Sequence, residues 1–236
     1  MIELRRFDTL GAFRIGWLDA KHHFSFGHYN EPARTSWGPL RVWNDDTIRP
    51  ASGFDPHPHR DMEIITYVRK GAISHEYHLG NRGRTEAGDV QVMSAGTGIV
   101  HAEYNREPGE TQIFQIWIIP DRRGHAPRWE NRAFPKGESA GKLVVLASGR
   151  EADRGTDAPV IHQDAALLGA TLPAGATVTH QLGDRLAYLV PARGRVRVNG
   201  VEVDARDGAA IQAEPSLTIE ALEEAEILLA DLPRAA

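Results

Sequence analysis

Short β-branched runs recur along this chain, and glycine or proline cuts each one off within roughly five to eight residues. "EIITYV", "GDVQVM", "IFQIWII", "KLVVLAS", "AYLVPA" and "AEILLADL" are all of this kind. The 23 glycines and 14 prolines leave no long segment with a 3.6-residue apolar period. A chain built this way cannot supply the crossover helices of a parallel α/β fold. Many short strands with frequent turn signals instead favour a sandwich or barrel. The expected fold class is all-β.

Composition narrows the function. With 41% hydrophobic residues in 236 there is material for a real core, and a formal net charge of −5 lacks the basic excess that phosphate-backbone binding favours. The chain has no cysteine, which excludes disulfides, thiolate catalysis and zinc–thiolate sites. The N-terminal "MIELRRFDTLGAFRIG" has no apolar core for a signal peptide, and no run of about 18 apolar residues suggests a membrane span. A cytoplasmic protein is expected, without direct nucleic-acid contact. Nothing in the chain demands an interface, so a monomer is expected.

Texture changes between Pro120 and Gly141, where "PDRRGHAPRWENRAFPKGESAG" is charged, rich in turn residues and without strand alternation. It reads as a connector. The flanking halves echo each other: "TYVRKGAIS…EAGDVQV" returns as "AYLVPARGRVRV…ARDGAAIQ" roughly 120 residues later, as a duplicated barrel would. Aligning Tyr188 on Tyr67 sets Val178 against His57 and His180 against His59; aligning Gly208 on Gly88 sets Ala221 against His101. The second half has thus lost most of a polar set that the first retains.

That set begins in "FDPHPHRDMEIITYV". On a strand, His57 and His59 share one face while Pro58 takes the other, and Asp61 and Glu63 keep that parity if the strand stays regular. "GTGIVHAEYN" supplies a second pair of the same form, His101 and Glu103. Two strands offering ligands at i and i+2 can converge on one cation inside a barrel. Three imidazoles and a carboxylate suit Fe(II), Mn, Ni, Cu(II) or Zn, and ligand type alone does not choose among them.

"GFDPHPHRDMEIITYVRKG" is similar to the first cupin motif, and "GDVQVMSAGTGIVHAEYN" to the second in the form that pirins carry. "LDAKHHFSFGHY", "LRVWNDD", "FQIWI" and "IHQD" extend the resemblance to bacterial pirin-like proteins over most of the chain. The resemblance implies a bicupin of two β-barrel (jelly-roll) domains. These are an N-terminal metal-binding cupin, 1–130, and a C-terminal cupin without a metal site, 131–236. It implies His57, His59, His101 and Glu103 as ligands of one divalent cation, Fe(II) first, with Zn, Ni, Cu, Mn or Co as alternatives. Glu63, the carboxylate ligand of many other cupins, is then a partner of the ligand histidines or a pocket residue. Where relatives read HxDSxGN, this chain has "HEYHLGN", which puts Tyr77 and His78 in the Asp-Ser places.

The resemblance also implies quercetin 2,3-dioxygenase chemistry: O₂ is added to a flavonol ring, which opens with loss of carbon monoxide. The ion would bind the 3-hydroxyl oxygen as a Lewis acid, with Glu103 as general base. The partners are then O₂ and a small aromatic substrate in an apolar pocket, with Trp43, Met93 and Phe114 as lining residues. The competing reading is a redox-sensitive regulatory or protein-binding module without turnover, which a fully enclosed site would favour. Among the other histidines, His22, His23 and His28 are read as a polar strand face beside core Phe24 and Phe26, with His23 and Ser25 the exceptions that reach the pocket. His75 and His78 are expected on the surface or in a hairpin, His125 in solvent, His162 and His180 in structural roles, and "RGRVRV" on a solvated face.

Overall fold

The turn-punctuated runs become 21 strands in the computed structural model, which describes residues 1–77, 82–135, 137 and 140–234. In chain order they are β1 (Ile2–Arg5), β2 (Gly11–Arg14), β3 (Leu18–His22), β4 (Leu40–Ile48), β5 (Ser52–His59), β6 (Glu63–Lys70) and β7 (Ala72–Tyr77). Next come β8 (Arg82–Glu86), β9 (Asp89–Ser94), β10 (Ile99–Asn105), β11 (Thr111–Ile118), β12 (Arg128–Ala133), β13 (Val144–Ser148) and β14 (Ala166–Leu172). The last are β15 (Thr177–Gln181), β16 (Leu186–Arg193), β17 (Val196–Val198), β18 (Val201–Val203), β19 (Gly208–Ile211), β20 (Ser216–Ala221) and β21 (Ala225–Leu232). No α-helix occurs among the described residues, so none is long and apolar enough to cross a membrane.

Four antiparallel sheets form two barrels. The first joins β12-β9-β6-β11-β4-β3-β2 to β5-β10-β7-β8, and the second joins β1-β19-β16-β21-β14-β13 to β15-β20-β17-β18. Raising each strand number of the first smaller sheet by ten yields the second, and β9-β6-β11-β4-β3 maps likewise onto β19-β16-β21-β14-β13. The echo in the sequence is one strand order used twice.

The flanking strands are exchanged. β1 precedes the first barrel but pairs with β19 of the second, while β12 leads into the second barrel but pairs with β9 of the first. The connector read as strand-free therefore contributes β12. Its "RWENRA" lies at a sheet edge, where solvent covers one side and the apolar alternation that marks an inner strand is not needed.

Three kinds of core result. Outward faces of the two large sheets meet in an aromatic layer that includes Phe24, Trp43, Tyr67, Phe114, Phe134 and Tyr188. The second barrel is filled by one aliphatic cluster containing Val178, Ile219 and Ala221. The first barrel holds two separate apolar clusters, one with Ile48, Val68, Ile73 and Ile113, the other with Ile64, Tyr77, Met93 and Ile99. Between them runs a belt of polar residues in direct register: His22–Asn44–Gln115–Thr66–Gln91–Asn131, one from each of β3, β4, β11, β6, β9 and β12.

Candidate metal centre

β5 and β10 lie side by side in the small sheet of the first barrel, with His101 directly opposite His57 and Ile99 opposite His59. Directly opposed side chains on adjacent strands have Cβ atoms ~5 Å apart. After His101 the register slips by a bulge, and Glu103 comes to face Phe54. The slip brings the strands close: a Cβ on Gly53 would lie 2.1 Å from the Glu103 carbonyl oxygen.

The three imidazoles converge. Ring centroids are 4.8 Å apart for His57–His59, 4.6 Å for His57–His101 and 4.9 Å for His59–His101. One ligand atom from each lies within 4.8 Å of the others. His57 Nδ1 donates to the Asp55 carbonyl at 2.7 Å, leaving the Nε2 lone pair free to face His101 Nε2 at 3.1 Å. His59 is packed edge-on against Trp117, 5.0 Å between centroids. Both Glu103 carboxylate oxygens accept from Gln115 Nε2, at 2.8 and 2.9 Å, and Oε2 stands 3.9 Å from His101 Nε2.

Electrostatics fit a cation. Burial, and then the charges of neighbouring histidines, hold His59 down at about 4 and His101 at about 2, so both rings are neutral with lone pairs available. Burial pushes Glu103 up to about 7, against the opposing effect of the Gln115 bonds. Nitrogens ~2.1 Å from a divalent ion and at right angles around it stand ~3 Å apart. The 3.1 Å gap between the Nε2 atoms of His57 and His101 is that spacing. The three imidazoles therefore have the spacing of ligands around a divalent ion, with the Glu103 carboxylate beside His101.

His75 is a correction. Expected on the surface or in a hairpin, it lies on the β7–β8 hairpin but is fully buried, with Nδ1 3.4 Å from Glu103 Oε1 and 3.0 Å from Gln91 Nε2. With His101 and Glu103 it forms a second ligand-spaced group. Alternation along β7 carried the missed signal, because His75 lies between inward Ile73 and Tyr77. His78 lies outside the described residues.

A cavity of about 640 Å³ opens onto His57, His59 and Glu103. Its apolar walls include Leu18, Phe26, Tyr29, Phe54 and Trp117, and its polar groups include His22, Asn44, Asp46 and Gln115. Of the residues expected to line it, several lie elsewhere. Trp43 and Phe114 project into the layer between the barrels, 5.8 Å from each other by ring centroid, because odd-numbered positions on β4 and even-numbered ones on β11 face outward. Met93 points inward but is enclosed by Ile64, Tyr77 and Ile99. His23 is buried at the seam, its Nδ1 2.8 Å from the Tyr188 hydroxyl, and Ser25 is tied to the backbone of Glu31. His22 and His28 line the cavity in their stead.

Glu63 does not reach the histidines. β5 ends at His59, and Asp61 adopts a left-handed φ of 49°, so the parity running from His57 is lost before β6 begins. Glu63 is buried on the outer face, where it accepts from Ser94 Oγ at 2.6 Å. His125, expected in solvent, is buried, stacked on His162 at 3.7 Å and bonded to Asp121. His180 bonds Asp231 at 2.7 Å, a structural role, and the arginines of "RGRVRV" pair with Glu202, Glu220 and Glu224 on an exposed face.

Two cupin barrels, with a cluster of histidines and a carboxylate in the first and aliphatic side chains in the second, define a bicupin with one candidate metal centre. The pirin family profile matches residues 4–118, and that of the quercetinase C-terminal cupin domain matches residues 145–232. A pirin-like protein of Caulobacter vibrioides is 61% identical over 232 residues, covering 98% of this chain and 99% of its own. The quercetin 2,3-dioxygenase of Escherichia coli K12 is 40% identical over 237 residues, covering 99% of both. The crystal structure of the E. coli bacterial pirin YhhW in complex with nickel(II) superposes with a TM-score of 0.91 at 39% identity, over 99% of each chain. The chain belongs to the pirin family.

Proposed function

We propose that this chain is a metal-dependent dioxygenase that opens flavonols such as quercetin with O₂ and releases carbon monoxide. The observation that carries the reading is the cavity that exposes His57, His59 and Glu103 to a ligand while aromatic side chains flank it. An enclosed cluster would have suited the regulatory alternative better. The names of relatives at 40% identity and above support the same class of substrate.

His57, His59, His101 and Glu103 would hold one divalent ion, with Fe(II) our first choice; the ion supplies Lewis acidity toward the flavonol 3-hydroxyl oxygen. Glu103, beside the ion, takes the hydroxyl proton as general base. Gln115 fixes the direction of that carboxylate through two hydrogen bonds. Phe54 and Trp117 keep water from the rings. Substrate and O₂ reach the centre through the cavity, and the chain acts as a cytoplasmic monomer.

The test is quercetin consumption under air by Fe(II)-loaded protein, followed by loss of the flavonol absorbance band, with a His57→Ala/His101→Ala double variant alongside. Metal-dependent loss that the variant lacks is expected. Stoichiometric metal binding with no flavonol consumed would defeat the substrate assignment and favour the binding-module reading.

A further inference from the structure

Asp46 is 3% exposed, lines the cavity, and keeps a buried Oδ1 with no hydrogen-bond partner among the described residues. Buried carboxyls are almost always paired, because burial without a partner leaves their lost hydration uncompensated. Packing does not explain the group, since its register neighbours across the sheet are Ala20 and Ile113. The charges around it make its position worse, because Asp45 and Glu103 both lie near and only Arg69 opposes them. A cost of this kind at a cavity wall is characteristic of a group that finds its partner in a ligand.

Its place along the strand says which part of a ligand it would meet. Asn44 stands in register with Gln115, the residue that holds Glu103. Asp46 is two residues further along β4, ~7 Å at strand rise. A planar ligand with one oxygen at the metal centre would therefore present a different ring substituent to Asp46. Flat surfaces in the wall suit such a ligand: the His22 ring is stacked with Phe26 at 5.3 Å and 22°, and Phe26 meets Trp117 edge-on at 5.5 Å.

We infer that Asp46 is a specificity-determining residue that accepts a hydrogen bond from a phenolic hydroxyl on a ring of the substrate other than the one bound at the metal centre. The inference rests on the flavonol reading above and adds the recognition of hydroxylation pattern to it. A carboxyl oxygen accepts a phenolic O–H whether or not the group carries a proton.

The experiment uses protein loaded with Zn(II), which has no redox chemistry of its own, and reads binding by quenching of tryptophan fluorescence. Quercetin is compared with 3-hydroxyflavone, which keeps the 3-hydroxyl and carbonyl but has no other hydroxyl. The wild type is expected to bind quercetin roughly tenfold or more tightly, the scale of a hydrogen bond to a carboxylate. In Asp46→Leu the preference should vanish while 3-hydroxyflavone binds at least as well, and the thermal midpoint should not fall. Asp46→Asn, nearly isosteric, should lose part of the preference and guards against a folding defect in the leucine variant.

A preference that survives both substitutions, or equal binding of the two flavonols by the wild type, would overturn the role of Asp46 and leave the flavonol reading standing. Failure of the wild type to bind either flavonol would bring both down.

Discussion

Gln115 spends its amide nitrogen on both oxygens of Glu103, an unusual concentration of one donor on one carboxylate. Partners of this kind set the orientation of a ligand, and their loss typically weakens metal affinity about 10–100-fold. Gln115→Leu is accordingly expected to lower divalent-metal affinity by that range in a competitive chelator titration, with little change in thermal midpoint. Unchanged affinity would mean that Glu103 is positioned by the bulge alone. At this scale the sequence was legible where spacing does the work: the two histidines at i and i+2 on β5 and the histidine of the second pair on β10 converge. It was not legible where both faces of a strand are buried. Trp43 and Asn44 are adjacent, one in the inter-barrel layer and the other at the cavity, and composition cannot say which face is which. For Trp43 and Phe114 the apolar choice for the pocket wall selected the outer face.

Among elements, the contact of β5 with β10 governs the site. Gly53 has no side chain to hold the strands apart, and its virtual Cβ would meet backbone atoms of Glu103 and Tyr104 at 2.1 and 2.6 Å. Backbone cannot swing aside as a side chain does. Gly53→Ala is therefore expected to cost ~1–3 kcal/mol in denaturant unfolding, as overpacking does, and to weaken metal binding because Glu103 is displaced with its strand. A variant with wild-type stability and affinity would show that the register slip absorbs a methyl group. Neither the slip nor the reach of β12 into the first barrel could be read in advance, because each depends on pairing between segments far apart in the chain. The turn at Asp61 is similar: a left-handed residue between two strands resets the parity, and no glycine announced it.

At the scale of the whole molecule, one strand order serves two ends. The second barrel has an aliphatic core, and among its buried charged groups Asp231 bonds His180 at 2.7 Å, Arg150 at 2.5 Å and Arg185 at 2.5 Å. Burial alone would raise the Asp231 carboxyl, but hydrogen bonds from His180 and Arg185 and the arginine charges outweigh it and hold it below its ordinary value. A carboxyl depressed in the folded state adds stability that is fully present above its unfolded value, near 4, and is lost as pH falls through the folded value. Asp231→Asn should thus cost on the order of 3 kcal/mol at pH 7, with the difference from wild type shrinking below about pH 4. A pH-independent difference in chemical unfolding would assign the loss to packing instead. The duplication was visible as an echo between the halves, and the second barrel has aliphatic Val178 and Ile219 in register where the first has His57 and His101. The exchange of β1 and β12 was not, since edge strands have polar outer faces and resemble loops in sequence.

The most direct measurement is the gas stoichiometry of the reaction. Fe(II)-loaded protein should release one carbon monoxide for each quercetin consumed, with both atoms of ¹⁸O₂ recovered in the cleaved product. Loss of quercetin without carbon monoxide, or with oxygen drawn from water, would contradict dioxygenation at the His57, His59, His101 and Glu103 centre.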